Sequence, residues 1–174
     1  MVYYVVIRGP LGVGKSTVSR SLASRVGADY IPIDRILEEH GLEEWDEDRI
    51  SLKSFLRANG IAVERARASL DHGTPVVVDG NFYWREAIDD LLHRLPYDHH
   101  VFTLQAPLKV CVDRDQRRPA TPSGREQRAG DRLGAQATRD VYELVTQVRY
   151  GTSIDATGPV EATIARILRH LPVA

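Results

Sequence analysis

The sequence predicts an α/β protein, a doubly wound sandwich with a parallel sheet between layers of helices. Two observations carry this. Short apolar runs rich in β-branched residues recur along the chain, and such runs suit strands buried on both faces. Between them lie longer stretches with apolar residues at helical spacing, so strand and helix alternate and right-handed crossovers are expected. The size agrees, since 174 residues, 43% hydrophobic and 27% charged, fit one compact unit over residues 1–174 with a single core.

The elements follow in order. Val2–Ile7 predicts the opening strand, and the next helix carries Val18, Leu22 and Val26 on one face, with Gly27 as its stop. Tyr30–Ile33 and Pro75–Asp79 predict the second and third strands. Trp84, Ala87, Ile88, Leu91, Leu92 and Leu95 then form a helical stripe. Val101–Leu104 predicts a fourth strand. A helical face at Val141, Leu144, Val145 and Val148 precedes the fifth, Thr152–Asp155, and Val160, Ile164, Ile167, Leu168 and Leu171 mark the closing helix. Residues Pro119–Gly134 break the rhythm with two prolines and three glycines. That stretch has too few apolar side chains to bury, which predicts a mobile surface excursion. Strand order is not readable from pattern alone.

Composition excludes several classes. A net charge of -1 argues against extended nucleic-acid contact or a membrane-surface patch. No apolar run approaches the roughly 20 residues of a membrane span, and no signal-peptide pattern opens the chain. Cys111 is the only cysteine, so no internal disulfide or cysteine-based zinc cluster can form, and a reducing, cytoplasmic setting is expected. Cys111 itself reads as a small buried hydrophobe. The six histidines show no metal-ligand spacing.

The sharpest signal is Gly9-Pro-Leu-Gly-Val-Gly14-Lys15-Ser16, which matches G-x-x-x-x-G-K-[ST]. Glycines permit the dihedrals of a tight loop and let amide N–H groups turn inward around phosphate oxygens. The start of the next helix adds partial positive charge. Lys15 is expected on the β- and γ-phosphates of ATP and the Ser16 hydroxyl on Mg²⁺, with Gly12, Val13, Gly14 and Thr17 completing the cradle. A chance match arises in roughly one chain in a hundred of this length, and here it follows a predicted strand and opens a predicted helix.

With this loop the chain resembles the small P-loop kinases, the group of shikimate kinase, gluconate kinase and related zeta-toxin-like and AAA_33-type proteins. The resemblance implies a P-loop NTPase fold with a five-stranded parallel sheet in the order 2-3-1-4-5. It also implies a lid at about 119–134 and an acceptor-binding segment at about 35–60. The activity implied is transfer of the γ-phosphoryl group of ATP·Mg²⁺ to a small molecule's hydroxyl. Asp34, which closes the second apolar run, is expected to face the crevice and to accept the hydroxyl proton or help place magnesium. An N-cap for the following helix is the alternative. Asp79 looks like the acid that binds magnesium through water. Gly80 and Asn81 follow it where a glycine-rich turn would lie against the acceptor, so Asn81 suggests a different acceptor; Trp84 reads as core.

The resemblance also implies that Arg114 packs against adenine and that Arg117 or Arg118, at the lid root, reaches the transferring phosphoryl group. Cations there are sensible because charge develops on the equatorial oxygens. Arg118 is the choice among them, with Arg125, Arg128 and Arg132 able to share the duty. Thr157 and Pro159 resemble the loop that holds the adenine edge, and Gly158-Pro159 also suits a helix start. Arg139, at the head of the helix after the lid, and Arg57, in the acceptor segment, are expected on the acceptor; Lys53 reads rather as helix cover.

A GTP-dependent switch fits badly because no N-K-x-D motif is present, and a motor ATPase because Asp79 is followed by Gly80 rather than glutamate. A polynucleotide 5′-hydroxyl kinase and a non-catalytic ATP-binding regulator stay open as alternatives. A nucleoside monophosphate kinase is disfavoured by the short segment Leu42–Gly60.

Overall fold

The computed structural model describes residues 2–47, 49–117 and 132–172. In chain order the elements are β1 (Tyr3–Arg8), α1 (Lys15–Val26), β2 (Asp29–Pro32), α2 (Ile33–Glu39), β3 (Trp45–Asp46), β4 (Arg49–Ile50) and α3 (Leu52–Asp71). There follow β5 (Val76–Gly80), α4 (Arg85–Arg94), β6 (Asp98–Gln105), α5 (Leu108–Gln116), α6 (Arg132–Gln147), β7 (Thr152–Asp155) and α7 (Val160–Leu168). Five strands form one parallel sheet in the order β2-β5-β1-β6-β7. Counting only its own strands, that is 2-3-1-4-5, the order implied by the resemblance. The strands β3 and β4 make a separate antiparallel hairpin.

Successive residues of the central strands feed opposite faces. Tyr4, Val6, Val76 and Val78 pack with α2, α3, α4 and Val145 of α6. Tyr3, Val5, Ile7, Val77 and Leu104 pack with Val18 and Leu22 of α1, Cys111 of α5 and Ile164 and Ile167 of α7. Burial on both faces is what makes these strands read as unbroken apolar runs. The strand β6 begins three residues before the apolar run. His99 and His100 supply its packing through ring contacts with Tyr4 and Tyr3, at 5.3 and 6.0 Å between centroids. Helix α3 is a further addition. Ser51 caps it, accepting the Ser54 N–H at 3.2 Å, and its buried face of Ala58, Ala62 and Ala66 around Phe55 and Leu70 carries little of the bulk that marks a stripe.

Arg8 occupies an inward position at the end of β1 and is fully buried. Its guanidinium donates to Thr103 Oγ1 at 3.0 Å and to the carbonyls of Val148 at 2.7 Å and Val145 at 3.1 Å. It thereby ties the strand leading into the phosphate loop to the last turn of α6, where a cation is favoured. Burial, and secondarily Arg85, lowers its pKa to about 10, which leaves it charged at neutral pH. Arg8→Ala would orphan those carbonyls and open a void. It is expected to cost about 3–5 kcal/mol in urea unfolding, and Arg8→Met, which fills the volume, clearly less. A loss below about 1 kcal/mol for Arg8→Ala would show that the tether carries little.

Candidate active site

The sheet register assembles the site. Asp79 on β5 stands opposite Ile7 of β1 on one side and Pro32 of β2 on the other. The chain leaves β1 into the phosphate loop and leaves β2 into α2, whose second residue is Asp34. Loop, acid and second acid are thus adjacent because three parallel strands end together.

In the loop, Gly14 adopts φ 100° as the N-cap of α1, a left-handed conformation that favours glycine. Gly12 (φ 73°) is constrained twice, since a Cβ there would stand 2.0 Å from the Cys111 carbonyl oxygen. The first turns of α5 therefore form the floor of the loop, and buried Cys111 is part of it. Lys15 is buried and its ammonium donates to the Pro10 carbonyl at 2.9 Å, reaching back across the loop. Ser16 is half-buried and Thr17 exposed in the first turn of α1.

Asp79 is buried and accepts the Tyr30 hydroxyl at 3.1 Å. Burial chiefly, and then the nearby Asp34 carboxylate, pushes its pKa up to about 6, while Lys15, the Tyr30 hydroxyl and the Ser16 hydroxyl pull it back. Asp79, Asp34, Lys15, Ser16 and Tyr30 are therefore one electrostatic cluster. Burial and Asp79 in turn push the Tyr30 phenol up. Tyr30 carried no signal in the sequence. Asp34 is half-buried, and Pro32 is the N-cap of α2, so the capping alternative for Asp34 does not hold.

Beyond Asp79, Gly80 keeps β5 close to α2. A Cβ on it would lie 3.0 Å from the Phe82 ring and 3.1 Å from Ile33 Cβ. Asn81 is buried and its Oδ1 has no hydrogen-bond partner among the described residues. Phe82 sits at φ 43°, strained for an aromatic residue, and is held there by full burial beside Phe55. Tyr83 and Trp84 clamp the hairpin. The Tyr83 hydroxyl accepts the Ile50 N–H at 2.8 Å, and Trp84 Nε1 donates to the Ile50 carbonyl at 3.0 Å. Trp84 is the N-cap of α4 and packs partly buried against the core.

Among the expected nucleotide residues, Arg114 is tied to both loops. It donates to the carbonyls of Val13 at 3.3 Å, Ala156 at 2.8 Å and Thr157 at 2.8 Å. The phosphate loop and the turn before α7 are thus held by one guanidinium. Asp155 accepts the Thr157 N–H at 2.9 Å, and Pro159 is the N-cap of α7. In the segment expected to bind the acceptor, Arg57 and Lys53 both pair with Glu44, at 3.1 and 3.0 Å. Arg139 is not at the head of its helix, because α6 already starts at Arg132, and it lies exposed. Arg117 closes α5 as its C-cap. Arg118, Arg125, Arg128 and residues 119–131 of the expected lid lie outside the described residues.

The sequence profile of the family described as AAA domain matches residues 5–167. No functionally curated protein matches the chain. Among solved structures, a gluconokinase from Sinorhizobium meliloti 1021 is similar with a TM-score of 0.65 at 21% identity, covering 96% of this chain and 94% of that one. A sugar kinase from Janibacter sp. HTCC2649 reaches a TM-score of 0.74 at 19% identity, covering 97% and 94%. A shikimate kinase from Acinetobacter baumannii, in complex with shikimate, gives 0.61 at 18%, covering 98% and 93%. At these identities the likeness establishes the fold.

The raised pKa of Asp79 has a consequence for stability. Ionising a carboxyl whose folded pKa exceeds its ordinary value costs the folded state, so this contribution is lost as pH rises from about 4 to about 6. Asp79→Asn is exempt. The stability of Asp79→Asn relative to the unmodified chain is therefore expected to increase between pH 4.5 and 7, by at most about 3 kcal/mol. Urea unfolding at both pH values checks this; a pH-independent difference would contradict the buried, charged cluster.

Proposed function

Because the chain belongs to this AAA-domain family of P-loop proteins, we propose that it is a small-molecule kinase moving the γ-phosphoryl group of ATP to a hydroxyl. The observation that carries the reading is the second carboxylate. Asp34 stands close enough to Asp79 to raise its pKa, yet it is half-open to solvent, where an acceptor can reach it. The fold shared with a gluconokinase, a sugar kinase and a shikimate kinase supports the same class.

The loop amides of Gly12–Thr17 and the start of α1 receive the phosphates, and Lys15 holds the β- and γ-oxygens. The donor set fits Mg²⁺: the Ser16 hydroxyl directly and Asp79 through water are hard oxygen ligands beside the phosphate cradle. Bound there, the ion neutralises charge on the phosphate oxygens. Guanidinium N–H donors point along the plane of the group, so hydrogen bonds to Val13, Ala156 and Thr157 leave the flat face of Arg114 for adenine, with Thr157 and Pro159 at the base edge. On the acceptor side, Asp34 takes the hydroxyl proton as the new O–P bond forms and the bond to the ADP oxygen breaks. The unpartnered Asn81 Oδ1 accepts a second substrate hydroxyl, with Gly80 keeping the approach clear. Arg57 borders this acceptor segment of about 35–60. Arg118, at the root of the lid of about 119–134, stabilises the transferring phosphoryl group, Arg139 serves the acceptor, and the lid excludes water as a competing acceptor. Among the described residues no helix is long and apolar enough to cross a membrane.

An ADP-release screen tests this with sugar acids, cyclic polyols, nucleosides, hydroxylated antibiotics and a 5′-hydroxyl oligonucleotide. One small-molecule class should stimulate release. Lys15→Ala should lower the stimulated rate by about 10²–10³, and Asp34→Asn by about 10²–10⁴, with both variants folded. Asp34→Asn turning over within a few-fold of the unmodified chain would remove its role as base. Stimulation by the oligonucleotide alone would replace a small acceptor with a nucleic-acid end, and nucleotide binding without release would favour a regulator.

A further inference from the structure

Tyr30 is the member of the Asp79 cluster that belongs neither to the phosphate motif nor to the acids of the crevice. It is the second residue of β2, opposite Val77 of β5, and its half-buried ring packs against the core face that α1 covers. From there its hydroxyl donates to Asp79 Oδ2 at 3.1 Å, two residues beyond Val77 on β5. The same phenol feels the Ser16 hydroxyl in the first turn of α1. One oxygen thus links β2, the end of β5 and the start of α1. Phenylalanine would fill the same space, so the hydroxyl is what calls for an explanation.

A phenol has one proton to give and two lone pairs to offer. The proton is spent on Asp79, which fixes the rotation of that carboxylate, and the lone pairs remain for the Ser16 proton. The two side chains it reaches are the oxygen donors that fit magnesium, Ser16 directly and Asp79 through water. Partners one step removed from a metal set its affinity, because they hold the ligands in the orientation the ion needs. The backbone keeps this partner in place, since β2 pairs with β5 along its whole length, from Asp29 opposite Val76 to Pro32 opposite Asp79. Resting on the kinase reading of this site, we propose that Tyr30 is a positioning residue for the magnesium complex of the nucleotide, its hydroxyl holding Asp79 and Ser16 in the orientation in which they receive the cation. It serves the cation and not the phosphates, which Lys15 and the loop amides hold.

Calorimetric titration of the full chain and Tyr30→Phe with a non-hydrolysable ATP analogue tests this, first in EDTA and then over a series of Mg²⁺ concentrations. In EDTA the two proteins should bind the analogue within about twofold of each other, while Tyr30→Phe should need about tenfold or more Mg²⁺ to reach half of the cation's effect. Added to Asp79→Asn, Tyr30→Phe should shift that midpoint clearly less than it does alone, because it acts through the carboxylate. Unfolding midpoints report whether β2 stays docked. An unchanged Mg²⁺ midpoint overturns the proposal. So does a loss of equal size in EDTA, which would mark a structural role, or a shift undiminished in Asp79→Asn. Failure of the kinase reading appears separately, as nucleotide binding that no acceptor converts to ADP release, and leaves the Mg²⁺ midpoint measurable.

Discussion

The candidate site depends on one buried carboxylate. Asp79 is placed by the parallel register between the ends of β1 and β2, out of water and within the fields of Asp34, Lys15 and Ser16. Burial makes its charge costly, and that cost is the source of its affinity for whatever supplies positive charge there. A Tyr30 hydroxyl at 3.1 Å fixes its orientation without neutralising it. The phosphate loop needs this neighbour, because amides and Lys15 alone offer only donors to a ligand that arrives with a divalent cation.

The rest of the architecture holds that arrangement still. Helix α5 supports the loop from below, so closely that only glycine fits at position 12, and its Arg114 binds the loop to the turn before α7. Arg8 does the same one layer further in, joining β1 to α6. On the other flank, Tyr83 and Trp84 pin the β3–β4 hairpin to the segment leaving β5. The phosphate loop and the turn before α7 are rigidified by arginine–carbonyl bonds, and the hairpin by aromatic clamps. Rigid supports of this kind are what precise positioning requires.

What the sequence disclosed follows from range. The strands were legible because β-branched runs buried on both faces leave an unmistakable pattern, and the phosphate loop because all its parts are contiguous. The start of β6 was hidden since histidines pack there as aromatics, and α3 since its buried face is built on alanines. Each hairpin strand has two residues, too short for any period to register. Tyr30 touches Asp79 and Arg49 stacks on Trp84, partners far along the chain, and no local pattern encodes such pairs. The pairing of Arg57 with Glu44 is likewise a tertiary fact. Asp34 was legible as the acid that closes the second apolar run, although its placement inside the first turn of α2 was not.

The most direct test of the Asp79-centred cluster is proton release on binding a preformed magnesium complex of a non-hydrolysable ATP analogue. Calorimetry at pH 6 in buffers of differing ionisation enthalpy, on the unmodified chain and Asp79→Asn, measures it. With a pKa of about 6, Asp79 is half-protonated at that pH and must ionise to serve the cation. The unmodified chain should therefore release about half a proton more per site than Asp79→Asn. Equal release from the two proteins would contradict the account.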